Sequence, residues 1–289
     1  MSIPSFLRAF VDDAAIFPPG NAPLDRAVAD HLDHRSQEYA DLVGGFLVSD
    51  VKIADLARSV DGSTTLEVNV VVTGGAGAIE PAVTWVGRSE GLRLRAVEFA
   101  LRDEEDLAHN ARRLLQVVDS LGDALDDVAV YAEPPMLRDS PSHGWLAALD
   151  ELAAREIALK FRTGGVTADA FPTSRQLAGC LGAALDRELP FKCTAGLHHA
   201  LRHRDEQTGF EHHGFLNVLL ATRTSLDGGG TDDVARSLDE TDAAAVAARL
   251  AGDPDEAART RRWFTAFGSC SVLEAHEDLV ELGLIGGTA

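Results

Sequence analysis

Short runs of β-branched and other apolar residues alternate with amphipathic helical stretches along the whole chain. The run at 66–72 has the composition of a strand and ends at Thr73-Gly74-Gly75, a turn signal. The stretch at 104–121 repeats apolar side chains every three or four positions, as one face of a helix does. The same criteria predict eight strands, at residues 10–17, 45–49, 66–72, 94–100, 127–133, 157–163, 190–196 and 215–220.

Helical segments separate these strands, and this constrains how the strands can pair. A helix between two strands returns the chain to the same end of the sheet, so the strands are predicted to be parallel. Eight parallel strands close most economically into a (β/α)8 barrel, the TIM-barrel fold of the α/β class. An open doubly wound sheet is the alternative, but its GxGxxG motif is missing after the first strand. We predict one domain over residues 1–289, with the barrel at about 8–251 and a C-terminal capping segment at 252–289.

The charge balance narrows the class of partner. The chain carries 46 acidic and 26 basic side chains, for a net charge of −20, which disfavours nucleic acids and anionic membrane surfaces. No apolar run approaches the roughly 18 residues of a membrane span, and the first residues lack the pattern of a signal peptide. The three cysteines, Cys180, Cys193 and Cys270, cannot all pair, which fits a reducing compartment. We expect a cytoplasmic protein that acts on a small molecule and has no nucleic-acid or membrane partner. The sequence leaves the oligomeric state open, and a homo-oligomer is one of the alternatives.

Lysine is rare in this chain. Of 26 basic residues, only Lys52, Lys160 and Lys192 are lysines and the others are arginines. Arginine can replace lysine at little cost on a surface, but it cannot act as a nucleophilic amine. The retained lysines are therefore candidates for chemistry, although Lys52 at the second strand end is expected to face solvent.

Polar residues stand at the predicted carboxyl ends of the strands, where barrels of this kind carry their catalytic groups. Side chains alternate along a strand, so Lys160 and Arg162 share a direction, as do Lys192 and Thr194. Charges that faced the helix layer would be desolvated without partners, which favours the direction of the barrel mouth. The candidate residues at the strand ends are Asp12, Glu98, Glu133, Lys160, Arg162, Lys192, Thr194 and Asn217.

The two strand-end lysines are predicted to lie on adjacent strands, about 5 Å apart. Two ammonium groups about 6 Å apart repel by about 2.8 kcal/mol at an effective dielectric constant near 20, which equals about two pKa units. Burial also favours the neutral amine, which could then attack a carbonyl carbon. Glu133 on the neighbouring strand would favour the charged form instead. The sequence leaves open which effect is larger.

The segments K-F-R-T-G-G and K-C-T-A-G, which begin at Lys160 and Lys192, resemble the Schiff-base site of class I aldolases, particularly the deoxyribose-phosphate aldolase family. The resemblance implies that Lys160 forms the imine, that Lys192 lowers its pKa, and that Glu98 or Glu133 transfers protons. The glycine-rich phosphate site of that family is replaced here by a histidine-rich loop, so a phosphorylated sugar is not expected as substrate. Both segments also resemble a functionally unassigned family of bacterial TIM barrels, which bears on the fold alone.

Five of the ten histidines follow the seventh predicted strand within sixteen residues. We expect His198 and His199, directly after Gly196, to contact substrate. His199 and His203 are four apart and can ligate one metal from one side of a helical turn. Together with Glu98 and Glu133, these two histidines form an alternative site for a divalent metal such as Zn, Mn or Mg. The five histidines are His198, His199, His203, His212 and His213.

Three hypotheses follow from these residues. The leading one is a cofactor-independent lyase or isomerase that acts on a small carbonyl compound through a Schiff base on Lys160, with Arg162 and Arg202 as candidate carboxylate-binding groups. The second is a metal-dependent hydrolase or isomerase that uses the glutamates and the histidine-rich loop. The third is a non-catalytic barrel that only binds a ligand.

Overall fold

Eight parallel strands form a closed barrel in the computed structural model, which describes residues 3–60, 62, 64–102 and 105–286. The barrel strands are β1 (Val11–Asp13), β2 (Val43–Ser49), β3 (Leu66–Val72), β4 (Leu92–Ala100), β5 (Ala129–Glu133), β6 (Ala158–Arg162), β7 (Phe191–Thr194) and β10 (Phe264–Ser269). A separate antiparallel hairpin consists of β8 (His203–Arg204) and β9 (Glu211–His212). Around the barrel the order is β1, β10, β7, β6, β5, β4, β3 and β2. The predicted α/β TIM-barrel fold is therefore confirmed.

Helices follow most of the barrel strands and cover the outside of the sheet. Among the described residues, no helix is both long enough and apolar enough to cross a membrane. The helices are α1 (Leu24–His34), α2 (Ile53–Ser59), α3 (Ile79–Arg88), α4 (Leu107–Leu121), α5 (His143–Ala153), α6 (Ser174–Leu185), α7 (Phe215–Leu226), α8 (Thr231–Asp239), α9 (Ala243–Gly252), α10 (Pro254–Thr260) and α11 (Val272–Glu281).

The eighth barrel strand is not where the sequence pattern predicted it. Residues 215–220 belong to α7, and the strand that closes the barrel is β10, inside the segment expected to cap it. The first eight residues of α7 are all buried, so the helix has no polar face there and its sequence reads as one apolar run. Such a run does not distinguish a buried strand from a buried helix.

Two other predicted elements have different bounds. The first predicted strand, 10–17, is strand only over β1, because Ala15 N–H donates to the Asp13 carboxylate at 3.0 Å and turns the chain. The predicted helix at 231–251 is two helices, α8 and α9. The second of them begins at Ala243, and the side chain of Asp242 before it accepts a hydrogen bond from the N–H of Ala245 as an N-cap.

Aromatic packing holds the closing strand in place. The ring of Phe10, just before β1, lies 5.0 Å from that of Phe267 and 5.1 Å from that of Phe264 on β10, edge to face in both pairs. Phe215 of α7 stacks on Phe267 at 4.6 Å. Edge-to-face and stacked pairs of this kind add about 0.5–1.5 kcal/mol each beyond their burial. The apolar run mistaken for a strand therefore anchors the true eighth strand.

Glycines allow the loops after β6 and β7 to approach each other at the barrel mouth. A Cβ atom on Gly164 would lie 2.8 Å from the Cα of Gly196, and one on Gly196 would lie 2.9 Å from the carbonyl oxygen of Thr163. Gly196 also has a φ of 74°, which side chains disfavour. The two glycine-containing segments of the sequence can approach this closely because neither Gly164 nor Gly196 has a side chain.

We expect Gly196→Ala to lower the free energy of unfolding by about 1–3 kcal/mol, because the residue would add left-handed backbone strain to a steric clash. Urea denaturation followed by circular dichroism measures the change. The matched control is Gly182→Ala in α6, where a Cβ meets no atom within 4 Å, and there we expect a gain of about 0.5–1 kcal/mol. Equal effects of both substitutions would contradict this account of the loops.

Candidate active site

Four charged side chains meet inside the barrel. Asp12 on β1, Glu98 on β4, Lys160 on β6 and Lys192 on β7 are each at most 2% exposed. Lys160 and Lys192 are register partners on adjoining strands. The interior of a TIM barrel is commonly filled by layers of apolar side chains, so a charged layer is a departure that needs a reason.

The carboxylate of Glu98 joins the two lysines. Its Oε2 accepts a hydrogen bond from Lys160 Nζ at 2.9 Å, and its Oε1 accepts one from Lys192 Nζ at 2.6 Å. Lys192 also donates to Asp12 Oδ2 at 2.5 Å. The other oxygen of Asp12 accepts the backbone N–H of Gly45 at 2.9 Å. Every carboxylate oxygen in this inner group therefore has a hydrogen-bond donor.

A second carboxylate extends the network toward the barrel mouth. Glu133, at the end of β5, lies with its Oε2 2.8 Å from Lys160 Nζ, and its Oε1 accepts a hydrogen bond from Arg162 Nε at 3.0 Å. The side chain of Glu133 is 12% exposed and that of Arg162 is 48% exposed, whereas that of Glu98 is fully buried. The network of salt bridges thus extends from the buried interior to the partly exposed rim through Lys160.

The structure indicates in which direction the pKa values of the two lysines shift, a question that the sequence left open. Burial favours neutral lysines, but the carboxylates of Glu133 and Glu98 outweigh burial and raise the pKa of Lys160, and those of Asp12 and Glu98 do the same for Lys192. Burial would raise the pKa of Glu98, yet the two ammonium groups lower it to about 2. At an effective dielectric constant of about 20, opposite charges about 3 Å apart attract by about 5.5 kcal/mol, roughly twice the repulsion of two ammonium groups about 6 Å apart. The net shift of the Lys160 pKa in the resting protein is therefore upward, and the carboxylates outweigh the lowering that the resemblance implies for Lys192.

A cavity of about 350 Å³ lies at the carboxyl ends of the strands and reaches Lys160. Its walls combine apolar side chains with a few polar groups, as small-molecule sites do. A larger cleft of about 620 Å³ runs between α7, α8 and α9, away from the strand ends and their charges. Side chains that line the strand-end cavity include Phe17, Leu47, Lys160, Arg162, Thr194 and His198.

The structure separates the remaining predicted residues into two groups. Thr194 and His198 line the strand-end cavity with Lys160. His199 instead faces α11, where its Nδ1 lies 3.2 Å from Asp278 Oδ2, and it lines a neighbouring cleft. Asn217 was expected at a strand end and this is wrong, because it is a buried residue of α7.

Asn217 and Arg202 make contacts that stabilise the fold and do not line the strand-end cavity. The side-chain amide of Asn217 donates to the carbonyl oxygens of Ser237 and Glu240 at 3.0 and 2.7 Å, and its oxygen accepts the N–H of Arg202 at 2.8 Å. The guanidinium of Arg202 lies within 3.5 Å of the Glu211 carboxylate instead of lining the strand-end cavity. These residues hold the segment after β7 against α7 and α8.

The ligands of the alternative metal site are not brought together. Among the described residues, no group of three or more histidine, cysteine, aspartate or glutamate side chains is placed to hold a metal ion. Glu98 and Glu133 form salt bridges with Lys160 inside the barrel. The rings of His199 and His203 contact each other beyond the strand ends, with their centroids 4.6 Å apart. The carboxylates and imidazoles therefore do not fit the proposed metal.

One residue of the cavity wall was missed by the sequence analysis. Cys270 lies one residue after β10 and lines the cavity with Lys160 and His198. It was overlooked because the strand before it was assigned to a capping segment. The signal was present in residues 264–269, a short aromatic and small-residue run that ends in the turn residues Gly268 and Ser269.

Comparison with known proteins gives no family for this chain. No protein-family model matches it, and no curated protein matches it.

We expect Lys192→Met to lower the free energy of unfolding by about 3–5 kcal/mol at pH 7, because Asp12 and Glu98 would lose the ammonium group that compensates them. Urea denaturation from pH 7 to pH 3 measures the effect. The matched control is Lys52→Met at an exposed lysine, with an expected change within about 0.5 kcal/mol.

The pH dependence of this difference has a definite sign. In the wild type the pKa of Glu98 is lowered to about 2, so its stabilising contribution is complete above its ordinary pKa of 4.5 and is lost as the pH falls toward 2. Loss of Lys192 raises that pKa, so the variant loses less stability over the same range. The gap between the two proteins should therefore narrow as the pH falls below 4.5, and a constant gap would contradict the proposed pairing.

Proposed function

We propose that this protein is a lyase or isomerase that forms a Schiff base between Lys160 and a small carbonyl compound, without a cofactor. The position of Lys160 carries the proposal. Of the three lysines, all of which the structure describes, Lys160 is the one that lines the strand-end cavity. Lys192 is fully buried below it, and Lys52 is exposed after β2.

A Schiff base requires Lys160 to lose a proton, because only the neutral amine attacks a carbonyl carbon. Glu133 supports this step, since its Oε2 lies 2.8 Å from Lys160 Nζ and its side chain is 12% exposed. The proton moves to Glu133, the amine adds to the carbonyl carbon, and one N–H proton is transferred to the carbonyl oxygen. The resulting carbinolamine loses its hydroxyl group as water, with the proton returned by Glu133, and leaves the protonated imine. No oxidant or metal is needed for the sequence.

Proton transfer between these two groups is compatible with the buried network. It removes one positive and one negative charge together, so the net charge around Glu98 does not change. Lys192 stays an ammonium group, because its bonds to Asp12 and Glu98 raise its pKa. In this proposal Lys192 is a positioning residue that holds Glu98 against Lys160, a role different from the pKa-lowering one implied by the aldolase resemblance.

The lining of the cavity favours a small substrate with one anionic or polar end. Phe17, Leu47 and Val71 supply apolar walls. Arg162 uses one N–H to hold Glu133, while a guanidinium group carries five such donors, so it can also bind a carboxylate at the rim. We therefore propose small aldehydes, ketones or keto acids as the substrate class.

Reductive trapping tests the nucleophile. In the presence of cyanoborohydride and either pyruvate or propionaldehyde, we expect a stable adduct on Lys160, located by peptide mass spectrometry. Lys192 should remain unmodified because it is fully buried. Exposed Lys52 reports non-specific modification within the same molecule. Lys160→Arg keeps the positive charge and should lose the adduct while it stays folded. Adducts confined to Lys52 would overturn the proposal.

The charge of Glu133 should set the pH at which the adduct forms. Glu133→Gln removes a negative charge beside Lys160, so the pKa of that lysine should fall by about one to three units. The pH at which the adduct reaches half of its plateau rate should fall by the same amount, because the neutral amine is present at a lower pH. The plateau rate itself should be at least about tenfold lower than in the wild type, because glutamine can neither accept the proton of Lys160 nor return it to the carbinolamine. The rates are compared as the ratio of Lys160 to Lys52 adduct, which cancels the pH dependence of the reductant, and a plateau ratio equal to that of the wild type would contradict the role assigned to this carboxylate.

A further inference from the structure

A cysteine, a histidine and a glutamate form a cluster on the wall of the cavity. Cys270 lies between the end of β10 and the start of α11, and its Sγ is 3.6 Å from Nδ1 and 3.8 Å from Nε2 of His198, on the loop after β7. The carboxylate of Glu274, in the first turn of α11, lies 3.1 Å from His198 Nδ1. Pairing of β10 with β7 brings the two segments together.

The arrangement assigns different roles to the two ring nitrogens. Glu274 Oε2 is the closer partner of Nδ1 and accepts its proton, which fixes the ring. The sulfur lies within 3.8 Å of both ring nitrogens, and Nε2, which is not bonded to Glu274, is the nitrogen that can exchange a proton with it. A histidine oriented by a carboxylate and in contact with a thiol is the arrangement that activates a cysteine nucleophile.

Cys270 differs from the other two cysteines. Cys180 and Cys193 are fully buried, and burial raises the pKa of each thiol, to about 12 for Cys180. Cys270 is partly exposed and lines the same cavity as Lys160. It also precedes the first turn of a ten-residue helix, where backbone N–H groups favour a nearby anion.

We propose that Cys270 is a second nucleophile of this cavity, activated by His198, and that it adds reversibly to small aldehydes. In the reactive form, in which His198 carries the proton, the thiolate sulfur forms a bond to the aldehyde carbon, and the electron pair of the carbonyl bond moves to oxygen. His198 gives its Nε2 proton to that oxygen, so the product is a neutral hemithioacetal beside a neutral imidazole. The step needs neither an oxidant nor the Schiff base on Lys160, and so it stands independently of that chemistry.

The groups around His198 favour its protonated form. Burial would lower the pKa of His198, but its hydrogen bonds to Cys270 and Glu274 outweigh burial and raise it to about 10. Two further imidazoles face it, His199 on the same loop and His212 on β9. Burial lowers the pKa of His212, which favours its neutral form. The hydrogen bond to Asp278 raises the pKa of His199, and the same carboxylate, 3.2 Å from its Nδ1, compensates the charge of that ring.

Alkylation with iodoacetamide tests the thiolate. We expect carbamidomethylation of Cys270 at a rate that changes less than about threefold between pH 6.5 and pH 8.5, whereas an ordinary thiol with a pKa near 8.5 would change by more than tenfold. Cys180 and Cys193 should remain unmodified in the same digest. His198→Gln should slow the reaction at pH 6.5 by at least about tenfold and restore the ordinary pH dependence. Glu274→Gln should give a smaller loss.

The wild-type profile decides the question even if His198→Gln does not fold. A Cys270 alkylation rate that rises with pH as that of an ordinary thiol does would overturn the proposed activation by His198.

Protection by an aldehyde tests the ligand class. In the Lys160→Arg variant, where no imine can form at that position, propionaldehyde should slow alkylation of Cys270, and its removal by dialysis should restore the rate. No protection would overturn the hemithioacetal. Because this measurement uses the lysine variant, its failure is distinguishable from failure of the Schiff-base proposal, which is read from the adduct on Lys160 in the wild type.

Discussion

The carboxylate of Glu98, fully buried between the ammonium groups of Lys160 and Lys192, is the interaction on which the site depends. Burying an ion costs several kcal/mol unless a partner of opposite charge is held close to it. None of these three groups could therefore occupy the interior alone. Each fixes the position of the others, and Asp12 completes the set by facing Lys192 from β1. The result is a charged layer that joins four strands across the barrel.

This constraint divides the network into a sealed part and an open part. Lys192, Asp12 and Glu98 are enclosed, and the pKa values of Lys192 and Glu98 are shifted by the opposite charges beside them. Lys160 stands at the boundary, with Glu98 on its inner side and the partly exposed Glu133 on its outer side. In the proposed mechanism the proton of Lys160 leaves on the outer side, to Glu133. The carboxylate that raises the pKa of Lys160 at rest would thus also accept its proton.

Much of the fold could be predicted from the sequence, and the failures share a cause. Seven barrel strands were found at or near their observed positions because each is a short apolar run between turn signals and helices. The eighth failed because α7 is buried around its first two turns and carries no amphipathic signal, so it was counted as the eighth strand and β10 was left in the segment assigned to the cap. Burial of an element depends on what packs around it, and local periodicity does not report that.

For the site, the sequence by itself determined the chemical groups and the side of each strand on which they lie. Alternation along β6 and β7 aligned Lys160 with Arg162 and Lys192 with Thr194, and the scarcity of lysine singled out both amines. Only the tertiary structure decided their charge, because the sign of a pKa shift depends on distances of 2.5–2.9 Å between strands far apart in the chain. It also decided that Cys270 and His198, 72 residues apart, share one cavity wall, since that contact exists only once β10 closes the barrel beside β7.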